Sequence, residues 1–384
     1  MSAWRTPLLV GVGTVLALRI GLGLWAAFVL APISTADPDQ RYAHGGFPLQ
    51  GSGWLSPWER EDALWYEKIA VRGYGTEGST AFFPLLPLLL GAVNAVTGNV
   101  ALAGVLVGSV AAAVAFALLY RLVQAEYDAP TAGRTVAYVA LFPTAFFLYA
   151  AYTESLFLAL VVGAFWAARR ERWLLVMGLT VLAGLTKVQG ALLGLPLAVE
   201  YLQHSSWRPW RGSFAARHWA TLLALAAAGA VGTAAFFAYL TWGLRDPLSW
   251  FTRESRQWQQ RTTWPGETLF TALQKVAEQR QLTINTFDLV VLLGFTALTV
   301  GAFRLRISYG LYALTILATV WGHTNNTFPL MSASRFVLVA FPCFLVLAIW
   351  AGRRPRWVHL ALIMFWVSWL LVWTLQSVRG NWVG

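Results

Sequence analysis

Eleven apolar stretches recur along this chain, at about 8–31, 99–123, 134–150, 154–168, 173–186, 189–203, 219–242, 285–303, 307–322, 335–351 and 357–376. A backbone buried in lipid has no water to bond, so each stretch must satisfy its own amide and carbonyl groups, and runs of this kind do so as membrane helices. Composition agrees. Of 384 residues, 58% are hydrophobic and only 12% charged, whereas a soluble domain is about 25% charged. Several runs fall short of the roughly 20 residues a straight crossing needs. The pair 173–186 and 189–203 reads either as two short spans meeting at a shallow turn or as a re-entrant pair. The segment 82–96 holds Pro84 and Pro87 and reads as a juxtamembrane helix on the outer face. The expected fold class is therefore an all-α polytopic membrane protein of about eleven transmembrane helices plus outer juxtamembrane helices.

Charge sets the orientation. With 82–96 lying flat, one set of loops carries 14 cations, Arg5, Arg121 and Arg134 among them, against four acids, Glu126, Asp128, Glu171 and Glu200. The opposite set carries 13 of each sign, and Arg19 sits inside the first span. The positive-inside rule then places the N-terminus in the cytoplasm and the C-terminus outside. The same distribution argues against nucleic acid as the reason for the net charge of +11. The first span follows Arg5 without a convincing cleavage site and reads as an uncleaved signal-anchor. The 33 glycines suit close helix packing in lipid, and the 21 tryptophans suit interfacial belts. Cys343, the single cysteine, excludes intrachain disulfides and reads as a small buried hydrophobe.

The chain reads as one transmembrane domain over 1–384, with a first outer region at 32–98 and a second long outer loop at 243–284. Unusual residues gather on that outer side. The stretch 62-DALWYEKIAVRGY-74 follows the first span and brings Glu61, Asp62, Trp65, Tyr66 and Glu67, with Asp37, Asp39, Glu59 and Glu77 in the same loop. Glu154 opens a span, Lys187 and Gln189 occupy the turn 186-TKVQG-190, and His323 precedes Arg335. Loop 243–284 adds Trp250, Trp258 and Trp264 beside Arg253, Arg256 and Arg261. A carboxylate near a bilayer is expensive and invites a functional reading. Carboxylates and cations over an apolar wall fit a lipid phosphate donor: cations stabilise charge on a phosphate leaving group, and a carboxylate takes a proton from an attacking hydroxyl. The plainer readings are snorkelling of Arg335 and Lys187 at helix ends and a dipole-favoured acid for Glu154. No GxGxxG, P-loop or HExxH occurs, and 37-DPD-39 reads as a turn rather than a metal site, so no metal is expected.

The segments 62-DALWYEKIAVRGY-74, 81-AFFPLLPLLL-90, 143-PTAFFLYAAYTESLFLAL-160, 184-GLTKVQGALLGLPLAVEYL-202, 242-WGLRDPLSW-250 and 334-SRFVLVAFPCFLVLA-348 resemble the PIG-V-like mannosyltransferases, relatives of GPI mannosyltransferase 2 in the GT-C membrane glycosyltransferase superfamily. The resemblance implies a GT-C fold and inverting transfer of a sugar, typically mannose, from a polyprenyl-phosphate donor on the non-cytoplasmic face. The acceptor would be a lipid, glycan or protein, and no cofactor would be required. It implies Asp62 as the catalytic base and Arg335 and Lys187 as donor-phosphate ligands, with Glu61, Glu154, Gln189, Trp65, Tyr66 and His323 as further substrate-binding candidates. The family usually has Trp directly before the Asp where this chain has Glu61, which leaves Glu61 and Asp62 as alternative bases. Its turn is often Arg-Pro-Gln where this chain has Lys187-Val188-Gln189. The rival reading is a polyprenyl-lipid flippase or transporter, which would place charges at mid-membrane and often carry an internal repeat.

Overall fold

The computed structural model describes residues 2–30, 47, 49–75, 78–205, 215–257, 259–279, 282–379, 381 and 383. Asp37, Asp39, Glu77 and Trp258 lie outside the described residues. Among these residues the chain forms sixteen α-helices: α1 (Ser2–Leu30), α2 (Asp62–Arg72), α3 (Leu85–Thr97), α4 (Val100–Glu126), α5 (Ala129–Ala140), α6 (Thr153–Ala168), α7 (Trp173–Gly184), α8 (Gly194–His204), α9 (Ala216–Ala238), α10 (Ser249–Gln257), α11 (Pro265–Ala277), α12 (Leu282–Leu305), α13 (Ile307–Trp321), α14 (Ala333–Phe336), α15 (Phe341–Gly352) and α16 (Arg356–Val378). One short antiparallel pair, β1 (Arg261–Thr262) and β2 (His323–Thr324), sets Arg261 opposite Thr324 and Thr262 opposite His323.

Among the described residues five helices are long and apolar enough to cross a membrane: Ala3–Val29, Val100–Glu126, Ala216–Gly243, Thr283–Leu305 and Arg356–Val378. The pair Ala333–Val339 and Phe341–Gly352, bent by 79°, makes a sixth if it is one broken span. The remaining expected crossings correspond to α5, α6, α7, α8 and α13, of 11 to 16 residues. At about 1.5 Å per residue they reach roughly 17–24 Å, short of a hydrocarbon core of about 30 Å. Two are shortened for identifiable reasons. The apolar run 134–150 is not one helix: α5 ends at Ala140, before Pro143, and only a 3₁₀ turn, Ala145–Leu148, follows. A proline ring cannot donate to the ladder and disfavours helical backbone just before it. The run 189–203 likewise begins as a 3₁₀ turn, Val188–Leu192, before α8. The segment 82–96 becomes α3, 13 residues long.

The chain divides into two compact units. The first holds Met1–Leu156, Trp250–Gln259 and Ala348–Gly384. Its centre is α4, which starts where the Asn99 side chain accepts the Leu102 amide at 2.8 Å. Gly104 and Gly108, one turn apart, let the 150–151 backbone approach: a Cβ would stand 2.7 Å from Ala151 Cβ at Gly104 and 2.8 Å from the Ala150 carbonyl at Gly108. α1 packs along α4 and α16 packs on α1, Trp25 Nε1 donating to the Leu371 carbonyl at 3.0 Å. Arg19, the cation inside the first span, donates to Ser109 Oγ at 2.9 Å and the Val105 carbonyl at 3.1 Å, with Trp58 5.2 Å away. Its charge is therefore held by polar partners rather than left in hydrocarbon.

The second unit holds Phe157–Ser249 and Gln260–Leu347. Here α7 crosses α9 on small residues: a Cβ on Gly184 would strike the Gly229 carbonyl, and one on Gly232 would strike that of Val181. Thr233 Oγ1 donates to the Gly184 carbonyl at 3.0 Å, stitching the crossing. Phe165, Tyr309, Tyr312 and Phe341 form an edge-on aromatic core. A buried carboxylate, Glu200, ties three helix ends together. It receives Arg306 from the start of α13, Arg169 at 2.5 Å from the end of α6, His204 at 3.0 Å from its own helix, and the Ser308 hydroxyl.

Candidate functional site

In the first unit, α2 begins at Asp62, which places a carboxylate in the first turn, where the helix dipole favours negative charge. The preceding residue, Glu61, holds φ 48° and ψ −120°. That is a sparsely populated region for a residue with a Cβ, and such strain persists only where neighbours enforce it. The enforcing contacts are visible. Arg60 donates to the carbonyls of Ser56 at 2.9 Å, Glu59 at 3.0 Å and Val378 at 3.3 Å, while its own carbonyl accepts from the Tyr152 hydroxyl at 3.0 Å. Burial lowers the Arg60 pKa, opposed by the charges of Glu59 and Glu61. Asp62 and Glu61 remain partly exposed.

Behind Asp62 the helix is anchored rather than open. Trp65 stacks on Phe82 at 5.7 Å and Tyr66 meets the same ring edge-on at 5.0 Å; both are buried. Glu59 and Glu67, not separately considered as site residues from sequence, are each 1% exposed. Glu59 accepts the Gln50 and Gly51 amides, both at 2.7 Å, one on each oxygen. The Glu67 carboxyl neighbours that of Glu59, and its pKa is raised well above the usual carboxylate value by burial first and then by the adjacent Glu59. Glu154, in the first turn of α6, is fully buried with its neighbours Thr153 and Ser155.

In the second unit four of the residues singled out from sequence fall into two pairs, Lys187 with Arg335 at Phe336 and Gln189 with His323 at Thr319. Lys187 ends an extended step before the 3₁₀ turn and puts Nζ 4.7 Å from the centre of the Phe336 ring. Arg335, on α14, puts Cζ 5.9 Å from the same ring. Both side chains are largely buried, at 8% and 6% exposure. Two cations thus lie near one aromatic ring. Gln189 Nε2 donates to Thr319 Oγ1 at 3.3 Å, and its Oε1 is buried without a hydrogen-bond partner. His323 Nδ1 lies 2.8 Å from the Thr319 carbonyl. A carbonyl only accepts, so Nδ1 carries hydrogen. Of the loop aromatics, Trp264 is 68% exposed, and Arg261 is paired with Glu267 at 2.5 Å. Among the described residues no group of three His, Cys, Asp or Glu side chains could hold a metal ion.

The sequence also passed over Asp288. It lies in a candidate span, is 2% exposed, and accepts the Ser334 amide at 3.1 Å, next to Arg335. A carboxylate inside an apolar run was the available signal.

Residues 81–234 match the family model described as dolichyl-phosphate-mannose-protein mannosyltransferase. Two crystal structures of the Archaeoglobus fulgidus oligosaccharyltransferase are similar to the chain. The complex with Zn and sulfate is 13% identical, with 96% of this chain and 53% of that one covered and a TM-score of 0.39. The form tethered with an acceptor peptide containing the NVT sequon via a disulfide bond is 14% identical, with 96% and 55% covered and a TM-score of 0.40. The chain spans about half the length of these structures. No curated protein matches it.

Proposed function

We propose that this chain is a membrane glycosyltransferase of the GT-C superfamily, close to the PIG-V-like group, that takes mannose from a polyprenyl-phosphate donor. The observation that carries the reading is the pair of buried-stem cations, Lys187 and Arg335, against Phe336. Cations in a water-poor setting attract an anion more strongly than they do in bulk water. Gln189, with a second polar atom on a buried side chain beside Thr319, adds orientation. The match of 81–234 to a family described by a dolichyl-phosphate-mannose donor supports the choice of reaction class and sugar.

In this reading the acceptor hydroxyl gives its proton to the Asp62 carboxylate while its oxygen bonds to the anomeric carbon. The bond from that carbon to the phosphate oxygen breaks on the opposite face, which inverts the anomeric centre. Lys187 and Arg335 take up the charge left on the departing polyprenyl phosphate, so fixed cations serve where another enzyme would use a metal. The acceptor is a lipid, glycan or protein, and the transfer takes place on the non-cytoplasmic face.

The phosphate role is tested by K187Q and R335Q in detergent-purified protein with radiolabelled polyprenyl-phosphate mannose. Each change should weaken donor use by roughly 10- to 100-fold, the scale of a lost charged hydrogen bond. Donor kinetics unchanged in both variants would return the two residues to snorkelling at helix ends.

A further inference from the structure

We infer that Asp288 is a positioning residue for Arg335, supplying from a neighbouring helix the cap that the Arg335 turn lacks. The inference rests on the phosphate role proposed above for Arg335. α14 is a single turn, Ala333–Phe336, and the first amides of any helix have no partner within it. Its N-cap residue, Ser332, is the right type to accept one of them. Yet Ser332 sits in the left-handed region at φ 62° and makes no side-chain cap bond. The missing acceptor comes from α12: the Ser334 amide donates to Asp288 Oδ1 at 3.1 Å, with Asp288 2% and Ser334 1% exposed.

One turn earlier on the same face of α12, Asn285 is also 2% exposed and donates from Nδ2 to the Thr327 carbonyl at 3.4 Å. Asn325 Oδ1 closes that end of the loop by accepting the amides of Thr327 at 2.7 Å and Phe328 at 3.2 Å. The segment between β2 and α14 is therefore fastened near both ends to one polar edge of an otherwise apolar helix. A carboxylate and an amide at these depths are costly unless bonded. The bonds they make fix the backbone from which Arg335 reaches Phe336. Neither residue has to touch a substrate to do so.

The test compares D288N, which keeps an oxygen able to accept the Ser334 amide, with D288A, which does not. Amide hydrogen exchange over 332–336 is read on the protein without donor, and donor KM and kcat are read in the transfer assay. D288N should stay within about twofold of the wild type in both, because the cap needs an acceptor and not a charge. D288A should raise exchange over 332–336 and donor KM by roughly tenfold while kcat moves little, the pattern of lost binding geometry. If D288A does not fold, D288V, which fills the site without supplying an acceptor, gives the same comparison. Unchanged exchange in the variant without an acceptor overturns the cap. D288N behaving like D288A overturns it too, by making charge the essential property. A wild type that transfers no sugar overturns the functional reading and the positioning role with it, while the exchange result still decides the cap.

Discussion

Glu67 and Glu59 form a carboxyl pair, each residue 1% exposed, and Glu59 accepts the amides of Gln50 and Gly51. The pair clamps the segment before α2 to its middle, and it holds only while Glu67 keeps its proton. Burial and the neighbouring carboxyl raise the Glu67 pKa well above 4.5. The folded state therefore binds a proton that the unfolded state releases, and stability falls as pH rises between the two values. The contribution is complete below the unfolded value near 4.5 and is lost as pH climbs through the raised one. Thermal unfolding of detergent-purified protein should show a midpoint that declines over this window. E67Q, which keeps a donor and carries no charge, should flatten the decline. An E67Q profile parallel to the wild type would remove Glu67 as its source.

The close approach of α9 to α7 and to the 3₁₀ turn Val188–Leu192 that follows it makes a packing prediction. A Cβ on Gly229 would meet the carbonyls of Gly190 and Ala191, whereas one on Gly178 of α7 would meet nothing within 4 Å. G229A should lower stability by about 1–3 kcal/mol, the usual cost of forcing a packed interface apart. G178A should be neutral or slightly stabilising, because alanine restricts the unfolded chain more than glycine does. The unfolding midpoints of the two variants give the comparison, and equal midpoints would remove the crossing as the constraint.

Topology is open to a labelling experiment. Cys343 is fully buried, so C343A provides a background without thiols. Single cysteines at Gly78 and Thr97 flank α3 and should both react with an impermeant reagent from outside, since a 13-residue helix is about 20 Å long and falls short of the hydrocarbon core. Labelling of Thr97→Cys from the cytoplasmic side alone would mean that α3 crosses, and every later loop would change sides.

These predictions draw on features of unequal visibility in the sequence. The helical class, and Lys187 and Arg335 as cations at the ends of apolar runs, follow from local composition. The break after Ala140 was equally local, signalled by Pro143, yet apolarity alone carried the reading through it. Pairings are different in kind. Glu200 finds Arg306 and Ser308 more than a hundred residues away, Asp288 caps a turn 46 residues on, and Arg60 reaches Val378. A charge pattern cannot name such partners, because only the folded chain chooses among many equivalent groups. The strained backbone at Glu61 is invisible for the same reason: its cause lies in the contacts of Arg60 and Tyr152.

The proposed function turns on Asp62 acting as the base of a sugar transfer. The most direct measurement is turnover of radiolabelled polyprenyl-phosphate mannose by the wild type, D62N and E61Q, against a panel of lipid, glycan and peptide acceptors. The wild type should label at least one acceptor. D62N should lose roughly 10²–10⁴-fold in turnover with donor affinity nearly intact, the usual worth of a positioned base, and E61Q should lose much less. Transfer that survives in D62N and vanishes in E61Q would move the base to Glu61, and verified transfer unaffected by either change would contradict the account of this loop.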